Sequence, residues 1–119
     1  MAGFKIVTDL DVEDAFKIAR RVAKGLGFVV ERTDDLAFSA RKGNLALSIF
    51  LGALIAYCDF QVYLEDHNGK TEVVIERNKP WWTGWIGLNR VKNAAKELAT
   101  AVADDLEHQG GRILKEKEI

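Results

Sequence analysis

The residues best suited to chemistry lie close together in this chain. Arg77-Asn78-Lys79-Pro80-Trp81-Trp82-Thr83-Gly84-Trp85-Ile86-Gly87-Leu88-Asn89-Arg90 holds all three tryptophans and the only proline. Tryptophan combines a large apolar area with one polar N–H, which suits it to an interface, and also to capping the open end of a core. Lys79, Arg90 and Lys92 place positive charge on both sides of Trp81, Trp82 and Trp85. Cations beside the free backbone N–H groups of a helix start make an anion site. These six residues are the expected binding residues. The partner they would suit has an acidic group and an apolar body: a protein not named by the sequence, or an amphipathic anionic small molecule. The plainer alternative is that the rings close the core and the cations are solvated or paired with surface acids.

Enzyme chemistry finds little support. The chain has two histidines, His67 in a turn and His108 near a helix end, so a metal site shared between them has no warrant in the spacing. Its single cysteine, Cys58, forms no internal disulfide and falls on the inward parity of a strand, where a thiol is a small core residue. No P-loop, dinucleotide fingerprint, GxSxG elbow or HExxH occurs. No catalytic residue, metal ligand or cofactor is expected. Gly84-Trp85-Ile86-Gly87 resembles the GXXG loop of KH domains, but its middle pair is apolar and the formal net charge of the chain is -1, which argues against nucleic acid.

The elements that must position these residues follow from periodicity. With 119 residues, 48% of them hydrophobic and 29% charged, and no linker or repeat, the chain reads as one domain over residues 1–119. Phe4 to Thr8 is a first strand. A helix follows, capped by Asp11, with Val12, Ala15, Phe16, Ala19, Val22, Ala23 and Leu26 in one apolar stripe, acids in its first turn and an exit through Gly25 and Gly27. From Phe28 the period changes to two. Strands are expected over Phe28 to Thr33, Leu36 to Arg41, Leu45 to Leu51, Leu54 to Glu65 and Thr71 to Glu76, with hairpin turns at Asp34-Asp35 and Asp66-His67-Asn68-Gly69. Leu45 to Cys58 is nearly uncharged but too short to span a membrane, so it reads as two core strands joined or bent at Gly52. A long last helix is expected from an Asn89 cap to Gln109, stopped by Gly110-Gly111. Its bases Arg90, Lys92 and Lys96 stand early and its acids Asp104, Asp105 and Glu107 late, against the macrodipole. With no signal-peptide core in residues 1–14, the expected compartment is the cytoplasm.

This order implies an α+β fold, β-α-β(4–5)-α, with a curved antiparallel sheet and two helices packed on one face. The order resembles the TBP-like and helix-grip group, which includes START-like lipid carriers, although the likeness is of topology and rests on no motif. The resemblance implies either an open sheet face that binds DNA or an apolar cavity between sheet and last helix. Tyr57, Asp59, Gln61, Tyr63, Glu65, Glu72 and Glu76 would make the open face acidic, against DNA. The function expected is therefore a small non-catalytic binding module working through the tryptophan stretch and the basic start of the last helix. The alternatives are a carrier of an apolar or amphipathic small molecule, and a self-associating domain that uses the open face with Tyr57, Tyr63 and Val74.

Overall fold

A computed structural model describes residues 3–42, 58–77 and 84–119, and for Lys42, Cys58, Arg77 and residues 84–93 the backbone only. The elements are β1 (Gly3–Thr8), α1 (Val12–Gly25), β2 (Val29–Asp34), β3 (Ala37–Lys42), β4 (Cys58–His67), β5 (Lys70–Arg77), α2 (Gly84–His108) and β6 (Ile113–Glu118). The six strands form one antiparallel sheet in the order β2-β3-β4-β5-β1-β6, with the two helices packed against it. The α+β fold expected from the sequence is present. The expected strand Leu45 to Leu51 and the first part of Leu54 to Glu65 lie outside the described residues.

Alternation in the strands fixes which face meets the helices. Phe4 and Ile6 of β1, Phe38 and Ala40 of β3, Phe60, Val62 and Leu64 of β4, and Val73 and Ile75 of β5 are all buried in one core. They meet Ala15, Phe16, Ile18, Ala19 and Ala23 of α1 and Leu98, Val102 and Leu106 of α2. Phe16 sets its ring edge against Phe38, centroids 5.8 Å apart at 74°. Ala95, Ala99 and Ala103, also buried, let α2 lie close to its neighbours. Burial of side chains such as Phe38, Phe60 and Leu98 contributes roughly 1.5–3 kcal/mol each relative to exposure, the main term holding helices on sheet.

Local chemistry sets the ends of the elements. The Asp11 carboxylate accepts from Glu13 N–H at 3.3 Å and caps α1. Of the two glycines expected at the exit of α1, only Gly27 takes a positive φ, 92°, and Gly25 is the last helical residue. Phe28 N–H donates to Ala23 C=O and Gly27 N–H to Lys24 C=O, the bonding pattern of a Schellman ending. Between β4 and β5, Asn68 and Gly69 have φ of 54° and 82°, the pair of positive values that a two-residue type I′ hairpin requires.

The last strand was not expected. In β6 the positions that face the helix layer include Glu116 and Glu118, opposite Ile6 and Phe4 of β1. At this edge the sheet extends beyond the buried core, so both faces of β6 are charged and no apolar alternation announces it.

Candidate functional site

The expected binding residues divide into two groups. Lys79, Trp81 and Trp82 lie outside the described residues. Trp85, Arg90 and Lys92 belong to α2, which begins at Gly84 rather than after Asn89. The early start has a visible cause in the spacing: Trp85, Leu88, Val91 and Ala95 continue the apolar repeat of three and four backwards past Asn89. Two readings change as a result: Asn89 is not the cap, and Gly84-Trp85-Ile86-Gly87 is helical rather than a GXXG loop. The helix start at Gly84 lies six residues before Arg90 and eight before Lys92. At the other end of α2, Asp105 is met by the Arg21 guanidinium of α1 at 2.5 Å, which offsets its poor position on the helix dipole.

Strand register gathers the chain ends that lead to the tryptophans. Lys42 of β3 pairs with Cys58 of β4, and Phe60 of β4 pairs with Arg77 of β5. Of the described strands, β3 thus ends at Lys42, β4 begins at Cys58 and β5 ends at Arg77, all at one end of three neighbouring strands. Residues 43–57 and 78–83 are both tethered to that end. Beneath it, Phe28 and Phe60 pack with centroids 5.9 Å apart.

The face of the sheet away from the helices is zoned by charge. Tyr63, Val74, Lys5 and Lys117 form one cross-strand row, and Glu65, Glu72, Val7 and Lys115 the next. The acids expected from β4 and β5 are there, and Lys5, Lys115 and Lys117 on β1 and β6 add a basic zone that the unforeseen strand supplies. Within the expected patch of Tyr57, Tyr63 and Val74, Tyr57 lies outside the described residues and Val74 is only 3% exposed. The Tyr63 hydroxyl donates to Glu76 Oε1 at 3.0 Å. Burial pushes its phenol up to about 12, helped by that hydrogen bond and by the charges of Glu76, Glu65 and Glu72.

Glu65 and Glu72 sit directly opposite each other in this face. Lys5 Nζ lies 3.2 Å from Glu72 Oε1, and His67 Nε2 lies 2.9 Å from Glu65 Oε2 and 3.9 Å from Glu72 Oε2. The imidazole and two carboxylates bring three ligand atoms within 4.8 Å of one another, where the sequence reading had expected no metal ligands. The signal was present in the sequence, since a two-residue turn at Asn68-Gly69 necessarily sets residue 65 against residue 72. His67 faces both carboxylates, and Glu72 also pairs with Lys5.

Comparison of the chain with protein-family models and with curated proteins finds no match. No helix among the described residues is long and apolar enough to cross a membrane.

Proposed function

We propose that this protein is a small non-catalytic binding domain that engages its partner from the sheet end at which Lys42, Cys58 and Arg77 terminate. The observation that carries the reading is the pairing of those ends, to which two segments are joined in sequence: residues 43–57, a run with no charged side chain, and residues 78–83, which hold Trp81 and Trp82. Segments of that composition gain most from removing apolar area from water. Lys79, with Arg90 and Lys92 further along the chain, adds positive charge for the acidic group of an amphipathic partner.

Native mass spectrometry of the freshly purified protein tests this. Expected is an added mass that is lost on denaturation and that is absent from a Trp81→Ala/Trp82→Ala variant of unchanged circular dichroism. A bare wild-type chain, or a bound mass that survives the double substitution, would overturn the reading.

A further inference from the structure

The edge of the domain opposite β6 contains two arginines where the binary pattern calls for apolar residues. Arg20 lies four residues beyond Phe16 and eight beyond Val12, beside the buried stripe of α1. Arg32 pairs across β2 and β3 with the fully buried Phe38, so its position belongs to the helix-facing side of the sheet. Helix and sheet thus each send an arginine into the same seam, a groove of about 440 Å³ between α1 and the β2–β3 turn.

The two guanidinium groups are held differently. Arg32 is fixed: its Nε donates to Asp34 C=O at 3.1 Å and its Nη2 to Asp35 C=O at 2.7 Å, and its Cζ stands 5.2 Å from the centre of the Phe16 ring. Arg20 is not. Its Nε is buried and has no hydrogen-bond partner. A buried donor on a charged group, denied both water and an acceptor, is costly, so a turn of the Arg20 side chain that brings its guanidinium to an acceptor in the groove is favoured. Among the described residues no ion pair reaches Arg20, Arg32 or Lys17, the third cation of the lining.

The rest of the lining narrows the ligand. Val12, Phe16 and Leu36 supply an apolar wall, and Leu36 is anchored because its C=O accepts from Leu64 N–H at 2.9 Å. Glu13 and Asp35 also line the groove, so three cations face two acids, a balance that suits one negative charge better than two. We infer that the groove between α1 and the β2–β3 turn is a binding site for an amphipathic carboxylate, its carboxyl group accepting from the Arg20 guanidinium and its apolar body lying against Val12, Phe16 and Leu36. This site is separate from the sheet end proposed above, and either can fail without the other.

Titration of the full chain with decanoate, read from the arginine Nε–H resonances, tests the assignment, with Arg20→Lys identifying the Arg20 signal by its loss. Expected is a saturable shift of the Arg20 resonance, with affinity about tenfold or more weaker for decanol, for inorganic phosphate and for decanoate with the Arg20→Gln variant. The Trp81→Ala/Trp82→Ala variant should show the same saturable Arg20 shift, because that resonance follows this groove alone. An Arg20 resonance that does not move overturns the inference, as does equal binding of decanol, which would make the carboxylate irrelevant. Phosphate binding as tightly as decanoate would remove the role of the apolar wall, and undiminished binding by Arg20→Gln would remove the role of the arginine.

Discussion

Glu65 and Glu72 face each other directly across β4 and β5, and Lys5 of β1 reaches the second of them at 3.2 Å. Like charges opposite one another destabilise a strand pair, by an amount comparable to the roughly 0.2–1 kcal/mol that a favourable pair contributes. Lys5 reduces that repulsion, with its side chain about one-third exposed, so solvent screens part of the gain. Lys5→Ala should therefore lower stability by about 0.5 kcal/mol, and Glu65→Gln in the same background should recover most of it. Urea denaturation of the two single variants and the double variant measures the coupling. Strict additivity would show that Lys5 does not act through this pair.

The hydrogen bond from Tyr63 to Glu76 has a consequence at high pH. Burial, with the Glu76 hydrogen bond and the nearby carboxylates, pushes the folded phenol up to about 12 from the ordinary 10.0. Between these values the unfolded chain has released the proton and the folded chain has kept it, so the unfolded state binds fewer protons and stability falls as pH rises. The contribution is complete below pH 10 and lost on approaching 12. In a Tyr57→Phe background, which leaves one phenol, tyrosinate absorbance should show the midpoint near 12, and Glu76→Gln should move it toward 10. A midpoint unchanged by Glu76→Gln would leave burial and the charges of Glu65 and Glu72 as the cause.

How much of this was legible in the sequence depended on whether a residue obeyed the binary pattern for local reasons. Helix α1 was readable because Asp11, the Val12 to Leu26 stripe and the Gly27 exit agree with one another. The β4–β5 hairpin was readable because Asn68-Gly69 allows almost no other turn. Strand β6 was missed because Lys115, Glu116, Lys117 and Glu118 are charged on both faces. The start of α2 was placed late because Gly84 and Gly87 read as loop residues when the apolar spacing carried the helix through them. Arg20 and Arg32 stand 12 residues apart in sequence, on a helix and a strand of different period. That they meet depends on how α1 lies across β2, which no local spacing states.

Arg21 and Asp105, 84 residues apart in sequence, join the two helices at 2.5 Å. Arg21 is largely exposed, so the pair contributes about 0.2–1 kcal/mol rather than the value of a buried bridge. Its particular role is to neutralise an acid near the negative end of the α2 dipole. Arg21→Ala should cost about 0.5 kcal/mol by urea denaturation at low salt, and less at high salt as screening shortens the reach of both terms. With Asp105→Asn already in place, Arg21→Ala should cost almost nothing. An equal cost in both backgrounds would assign the effect to lost packing of the arginine stem instead.

Three glycines near helix ends separate conformational need from steric need. Gly110 ends α2 with φ of 93°, a value that costs a residue with a Cβ about 1–2 kcal/mol. Gly111 has no such φ but is closely packed: a Cβ there would come 2.6 Å from Leu10 Cγ and 2.9 Å from Leu106 C=O, the carbonyl that accepts from Gly111 N–H. The leucine could move aside, but the carbonyl is fixed by the helix it ends. Gly111→Ala should therefore cost about 1–3 kcal/mol, the range of an overpacked core position. Gly25 closes α1 in helical conformation and a Cβ there meets nothing within 4 Å. Gly25→Ala should then stabilise the fold by about 0.5–1 kcal/mol, because alanine loses less backbone freedom on folding. Urea midpoints for the three variants should rank Gly25→Ala above wild type and the other two below it. A Gly111→Ala protein as stable as wild type would mean that the turn after α2 can shift away from Leu10 and Leu106, and that β6 is not held against β1 through this contact.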